Sequence, residues 1–259
     1  MPEITISAEK ELLLAIGGIL QEDTTASRRT LAGTLERYKR EIAISAEEDK
    51  WGTWLEGAMD AISEAVAVWS TQVTFVDVTI NSLIAVGQPG TLDGPSLNPQ
   101  LSSLMVTREV PENIAEKLSN VIANLWEDWQ SKVVIPGLPW YPSFMAYPGP
   151  LAPPTPNIPT PLIALGSSGM ASVTSDQVIL EKLGAELGSL ANTEGAVNNL
   201  EHFSLSFSIR FLNWSTTTMV QNVIGQGPIP IYAPPYVNAG PVVMGNVISA
   251  PGVLIGPRF

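Results

Sequence analysis

The only histidine in the chain, His202, stands in the tetrapeptide LEHF. One imidazole can serve as a general base, but a Ser-His-Asp triad needs a carboxylate and a nucleophile brought to it by the fold, and a multi-histidine metal site is excluded by the count. His202 is therefore expected to be a structural or surface residue. The acidic clusters Glu47-Glu48-Asp49 and Glu127-Asp128 offer oxygen ligands for Mg or Ca, yet neither has the spaced ligands of an EF-hand loop, and both read as solvated helix faces. There is no cysteine, hence no thiolate nucleophile, no thiolate metal site and no disulfide framework. Phosphate-cradling glycine loops are missing from any strand-turn-helix context. The nearest, GQGPIP from Gly225, has proline where a helix N-terminus should supply amide donors. No catalytic, cofactor or metal residue is expected, and no cofactor. A concave pocket gathering several carboxylates around His202 is the observation that would restore an enzyme reading.

Positive charge concentrates in one place, Arg28, Arg29, Arg37, Lys39 and Arg40, with Arg29, Arg37 and Arg40 near one helical face, interrupted by Glu36 and Glu41. This patch suits an acidic partner surface such as another copy of the chain, or intramolecular ion pairs. The chain as a whole has 13 basic and 25 acidic residues, net -12, which argues against nucleic acid as a ligand because such binding rests on Lys and Arg neutralising phosphates. A 45% hydrophobic content over 259 residues is ample for a core. MPEITISAEKELLLAIGGILQED lacks the basic leader of a secretory signal, and no long uninterrupted apolar run suits a transmembrane span, so the expected setting is a cytosol.

The elements that would position these residues are helical in the first half. Ser7 precedes a periodic run through Leu12, Leu13, Ile16, Ile19 and Leu20. A second helix is predicted over about Ser27 to Ile44. A third begins at Ser45, where SAEE matches a capping box, and runs through Trp51, Leu55, Met59, Ile62, Val66 and Trp69. TQVTFVDVTINSLIAV is assigned to helix, since a lone strand would have no partner. Residues 87–99 read as loop. Pro111 opens a helix with acids in its first turn and Ile114, Leu118, Val121, Ile122, Leu125 and Trp129 on one face. A further helix starts at the cap-like TSDQ and runs to Leu190. The stretch 203–224 alternates Phe203, Leu205, Phe207, Ile209 and Phe211 with small or polar residues, a strand signal. Leu200, Phe203, Phe207, Phe211 and Trp214 also form a helical stripe, and helix is favoured because that stripe continues to Val220 and Ile224.

Charge is distributed unevenly. Residues 1–132 hold ten basic and twenty acidic side chains, whereas Val133 to Ser175 and Phe211 to Pro257 hold none. The first window contains IPGLPWYPSFMAYPGPLAPPTPNIPTPL, in which proline rules out a helix interior or a central strand. Such a segment runs extended, on the order of 85 Å in polyproline II. Its PxxP spacings lack the flanking Arg or Lys of an SH3 ligand, and it is too apolar for a flexible linker. Its apolar side chains each lose roughly 1.5–3 kcal/mol of burial if left in water, so they require a surface. The expected subunit contacts are Trp140, Tyr141, Phe144, Tyr147, Ile158 and Leu162 in the first window, then Ile231, Tyr232, Tyr236, Val243 and Met244 in the second, together with Arg29, Arg37 and Arg40. A weak repeat is also visible. Trp69, Trp129 and Trp214 each stand near a helix end, followed by Val/Ile and then Gly/Pro, a pattern that suits three helix-plus-arm units and also the ordinary ending of apolar helices.

A cysteine-free helical chain with uncharged arms such as APPTPNIPTPL and GPIPIYAPPYVNAGPVVMG resembles the virion structural proteins of tailed bacteriophages. The resemblance covers the two uncharged windows and implies a non-enzymatic place in the particle, in a neck, tail, baseplate or capsid with neck or tail favoured, assembled in the host cytoplasm. The expected fold class is mainly α: a helical domain over 1–134, an extended Pro-rich arm over 135–173, a second helical segment over 174–224 and an extended C-terminal arm over 225–259, with a few short strands. The expected partners are other copies of the chain and neighbouring virion proteins. The rival readings are a soluble or membrane-surface binding protein using the apolar tracts and, third, an enzyme with an unrecognised carboxylate site.

Overall fold

The computed structural model describes residues 25–140, 144–147, 151–152, 154–229, 232–233, 237–240, 242–248 and 250–259. The helix expected after Ser7 lies outside them. Helix α1, Thr25–Gln72, is one unbroken element of 48 residues. No break occurs at Ser45, because AISAEEDK holds no glycine or proline and is rich in good helix formers, so the capping-box sequence has no chain end to cap. Residues 33–50 of α1 carry no buried side chain, and the core begins at Trp51.

After α1 the chain turns to strands rather than continuing as helix: β1 Thr74–Phe75, β2 Val78–Asn81, β3 Ile84–Gly87 and β4 Leu92–Asp93. Asp77 (φ 52°) and Ser82 (φ 60°) adopt left-handed backbone at the turns, and β2 and β3 form a tight hairpin with Asn81 opposite Ile84. Helices α2, Asn98–Thr107, and α3, Glu112–Gln130, follow, α3 with Pro111 at its N-cap as the sequence predicts. The chain then runs through β5 Val133–Pro139, β6 Phe144–Tyr147, β7 Thr155–Pro156, β8 Thr160–Pro161 and β9 Gly166–Ser167. Helices α4, Met170–Thr174, α5, Asp176–Leu187, and α6, Glu194–Thr217, come next. The Ser175 hydroxyl accepts from Val178 N–H to cap α5. The stripe Phe203, Phe207, Phe211 and Trp214 is the buried face of α6. The helix ends at Thr217, short of Val220 and Ile224, which belong instead to strands. The last strands are β10 Met219–Val220, β11 Ile224–Gln226, β12 Tyr232–Ala233, β13 Val237–Gly240, β14 Gly245–Ile248 and β15 Leu254–Ile255.

Seven of these strands form one curled antiparallel sheet in the order β7-β11-β14-β2-β3-β5-β9, and the chain is a mixed α/β protein, not a mainly helical one. Two further small sheets, β15-β10-β8 and β12-β13-β6, also join strands from both uncharged windows. The strand-forming parts of the windows pair with each other and with the β2–β3 hairpin instead of running free, while the first window ends in α4 and the second begins in α6.

Strand β5 corrects a second expectation, since it has neighbours on both sides. Its pairing with β9 covers only Val133 and Val134, so Pro136 and Pro139 lie beyond that partner. Toward β3 the register shifts between Ala85 and Gly87, which sets Pro136 and Gly137 together opposite Val86. Proline is accommodated at this bulge, where no ladder donor is required.

The expected boundaries at 134, 173 and 224 fall within β5, α4 and β11, and one continuous core joins helices and sheet. Trp69, Trp129 and Trp214 meet in it, with ring centroids 6.1 to 6.4 Å apart. Trp126 stands among them, 5.0 Å from Trp69 and 5.1 Å from Trp129. The repeat seen in the sequence thus marks three helix-to-strand exits that converge on one aromatic cluster.

Candidate interaction surface

Every strand of the seven-stranded sheet comes from a stretch without charge. Besides the two windows, residues 78–92, VTINSLIAVGQPGTL, contain no Asp, Glu, Lys or Arg. Alternation along each strand sends Val78, Ile80, Ala85, Ile135 and Leu138 into the core. On the outer face, Thr79 lies opposite Val86 on one side and Asn246 on the other, and Asn246 lies opposite Gln226. This uncharged band crosses four strands. It is flanked by the cross-strand pair Ile224 and Ile248 and by Ile84 opposite Pro139. Ile84, Val86 and Ile248 are exposed.

A solvated sheet face ordinarily carries charged side chains, which keep it soluble and deter pairing with other molecules. This face has none. A partner could cover it without stripping water from an ion, a desolvation that costs several kcal/mol per charge.

The exposed side of α6 carries Leu205, Ile209 and Leu212, with Arg210 the only charge between Phe203 and Thr217. Leu205 and Ile209 belong to the alternation that reads as a strand; on a helix they lie, with Leu212, opposite the buried phenylalanine stripe.

The residues expected to contact other subunits divide sharply. Trp140 is 1% exposed, its indole N–H donating to the Thr155 carbonyl at 3.2 Å, and Leu162 is likewise buried. Both therefore pack within their own chain, because the surface they needed is supplied by the other window. Ile158 is half-buried. Val243 and Met244 are exposed. Phe144 and Tyr147 lie in β6 and Tyr232 in β12, while Tyr141, Ile231 and Tyr236 fall outside the described residues. Arg29 is placed in α1, and Arg37 and Arg40 are exposed on the same helix. Nearby ion pairs, Lys39–Glu36 at 4.0 Å and Lys50–Glu47 at 3.7 Å, link side chains more than half exposed and contribute little stability.

His202 lines a surface groove of about 460 Å³ between α1 and α6 with Glu56, Asp60, Asn199, Ser206 and Arg210. The groove exists because the two helices run close together. A Cβ at Gly195 would meet the Glu47 backbone at 2.7 Å, and the Asn199 side chain donates to the Glu48 carbonyl at 3.0 Å. Carboxylates do gather near the histidine, as an enzyme would require. However, Glu56, Asp60, His202 and Arg210 are all exposed, so the groove offers a polar, hydrated binding trough rather than a water-excluded site. Among the described residues no group of three or more His, Asp or Glu is arranged to hold a metal ion, and no helix is long and apolar enough to cross a membrane. Comparison with family models, curated proteins and solved structures yields no match.

Sequence reasoning missed the outer sheet face because strand pairing makes it, from segments as distant along the chain as Thr79 and Asn246. The signal that could have found it is the third uncharged stretch, 78–92, which precedes the two windows.

Proposed function

We propose that this chain is a non-enzymatic structural subunit of a tailed-bacteriophage particle, at the neck or tail, which assembles in the host cytoplasm with copies of itself and with neighbouring virion proteins. The observation that carries the reading is the uncharged outer face of the seven-stranded sheet, with Ile84, Val86 and Ile248 exposed on a chain whose net charge is -12. Like charge keeps copies apart wherever charged helices face outward. The sheet is where they can approach. Assembly runs through this folded surface rather than through free arms, because the Pro-rich windows already pair within the chain.

Size-exclusion chromatography with light scattering, followed by electron microscopy, tests the proposal. A defined oligomer, visible as rings or tubes, is expected; a strict monomer at tens of micromolar overturns it. Liposome co-sedimentation separates this reading from a lipid-surface binder, since an acidic chain with an uncharged face gains no electrostatic attraction to anionic membranes.

The groove at His202 supports a second reading, a polar-ligand or catalytic site. Substituting His202→Ala should leave assembly unchanged. A ligand whose binding, followed by calorimetry, is abolished in that variant would favour the second reading.

A further inference from the structure

Residues 33–50 carry no buried side chain, so about 40 Å of α1, from Thr25 onward, lies ahead of the core at Trp51. Helices draw most of their stability from a packed apolar face. Such a face is present here. Leu31, Leu35, Tyr38 and Ile42 recur at steps of four, three and four residues, the spacing of a helix-packing seam. Leu35 and Tyr38 are half-buried and Ile42 is 38% exposed. The solvated Lys39–Glu36 and Lys50–Glu47 pairs on this part of the helix offer little compensation.

Charge selects what covers the seam. Residues 25–40 hold Arg28, Arg29, Arg37, Lys39 and Arg40 against Glu36, net +4, on a chain of net -12. Residues 1–24, which lead into α1, hold Glu3, Glu9, Glu11, Glu22 and Asp23 against Lys10, net -4. The same residues include Leu12, Leu13, Ile16, Ile19 and Leu20 at helical spacing, so acids and an apolar face occur together, the complement of a basic helix with an apolar seam. The acidic helices α3 and α5 do not offer this combination, because their apolar faces are buried in the core. Tethering decides between this segment and its equivalent in a second copy. Glu22, Asp23 and Thr24 alone separate Gln21 from Thr25, which is the length of an αα-hairpin loop. So short a connection gives the segment an effective concentration on the order of millimolar or above.

We infer that residues 9–21 fold back as a helix antiparallel to the first half of α1, laying Leu12, Ile16 and Ile19 over Leu31, Leu35 and Tyr38. A helix of that length runs about 20 Å, from the loop at Thr24 as far as Tyr38, which brings Glu9 and Glu11 to the level of Arg37. The basic patch is then neutralised within its own chain. Copies are left to meet elsewhere, although the hairpin itself does not depend on their meeting.

The chain has no cysteine, so labels can be placed at will. Ala8→Cys/Ala43→Cys, with Ala43 exposed, is spin-labelled in the full chain and mixed with a large excess of unlabelled parent, and the distance between the labels is read by pulsed electron resonance. Helices packed side by side place the labels within about 25 Å of each other, whereas residues continuing α1 as one straight helix would hold them about 50 Å apart. The short distance is expected. Ile16→Asp, which breaks the apolar match, and Arg28→Glu/Arg29→Glu, which takes residues 25–40 from +4 to neutral, should each shift the population to longer distances. Because the core begins at Trp51, both variants should keep the parent's unfolding midpoint. A long distance in the parent overturns the hairpin. So does a short distance that vanishes on dilution with unlabelled chain, which would assign the seam to a second copy, and so does a short distance that neither variant changes.

Discussion

Asn157 and Val223 hold one another through two hydrogen bonds across the two uncharged windows. Asn157 N–H donates to the Val223 carbonyl and Val223 N–H donates to Asn157 Oδ1, both at 3.1 Å. The Asn157 amide also donates to the Val220 carbonyl at 2.9 Å, and the side chain is only 2% exposed. One buried side chain thus supplies ladder bonds that short, proline-interrupted strands cannot supply for themselves. Asn157→Ala leaves the Val223 N–H and the Val220 carbonyl without these partners, and should lower stability by on the order of 3 kcal/mol in chemical denaturation. Asn157→Asp should cost more at neutral pH, because it replaces the donor facing Val220 with a buried negative charge. A variant as stable as the parent would show that the windows do not depend on this junction.

The aromatic cluster contains two tryptophans of similar burial and opposite hydrogen bonding. Trp69 Nε1 donates to Gln130 Oε1 at 3.0 Å, and Gln130 in turn donates to the Gly94 carbonyl at 3.0 Å. Trp126 Nε1 is buried without an acceptor among the described residues. Removing the indole N–H should therefore be asymmetric. Both Trp126→Phe and Trp69→Phe leave a cavity of the same size in the core, and Trp69→Phe should cost about 1 kcal/mol more, because it also removes the hydrogen bond to the half-buried Gln130 oxygen. Equal losses in thermal and urea unfolding would refute the role assigned to Gln130.

Much of the helical half was legible because its signals are local. Pro111 with Glu112, the Ser175 cap and the phenylalanine stripe of α6 each lie within a few turns of the helix they specify. The convergence of Trp69, Trp129 and Trp214 was visible as a repeat, though not as a cluster. Strands β2 and β3 were not legible: they pair first with each other, across a turn at Ser82 and Leu83 that carries no glycine or proline to mark it, and their outer partners, β5 and β14, lie far along the chain. Trp140 and Leu162 are buried within their own chain, and no pattern in the sequence points to the other window as the surface that covers them, because that window is just as uncharged. Met244 is an expected subunit contact on its apolar side chain alone; its left-handed backbone (φ 53°) and its N–H bond to Asn81 Oδ1 belong to the fold.

Gly225, in the middle of β11, is where the sheet closes on its core. A Cβ there would lie 2.9 Å from the Trp140 ring and closer still to Ile80 Cδ1. Ile80 can shift its methyl group, but Trp140 is fixed by its bond to Thr155 and cannot give way cheaply. Gly225→Ala should destabilise by about 1–3 kcal/mol, as overpacking does, and should blue- or red-shift the tryptophan emission by moving Trp140. Gly33 is the control, since it lies within α1 and a Cβ there would meet nothing within 4 Å: Gly33→Ala should be neutral or mildly stabilising.

Charge placed on the outer sheet face separates folding from assembly. Ile84 and Ile248 are exposed, so lysine at both positions keeps its stem on the sheet and its ammonium in water, and the change in stability should stay within about 1 kcal/mol. On an acidic chain two lysines bring the net charge closer to zero, from -12 to -10, so any loss of assembly could not be blamed on greater overall repulsion. It would come from having to desolvate the new ammonium groups wherever a partner covers this face. Light scattering on Ile84→Lys/Ile248→Lys should therefore report smaller species than the parent at equal concentration, with the same unfolding midpoint. Unchanged assembly would place the contact away from the outer face and overturn the observation on which the proposed function rests.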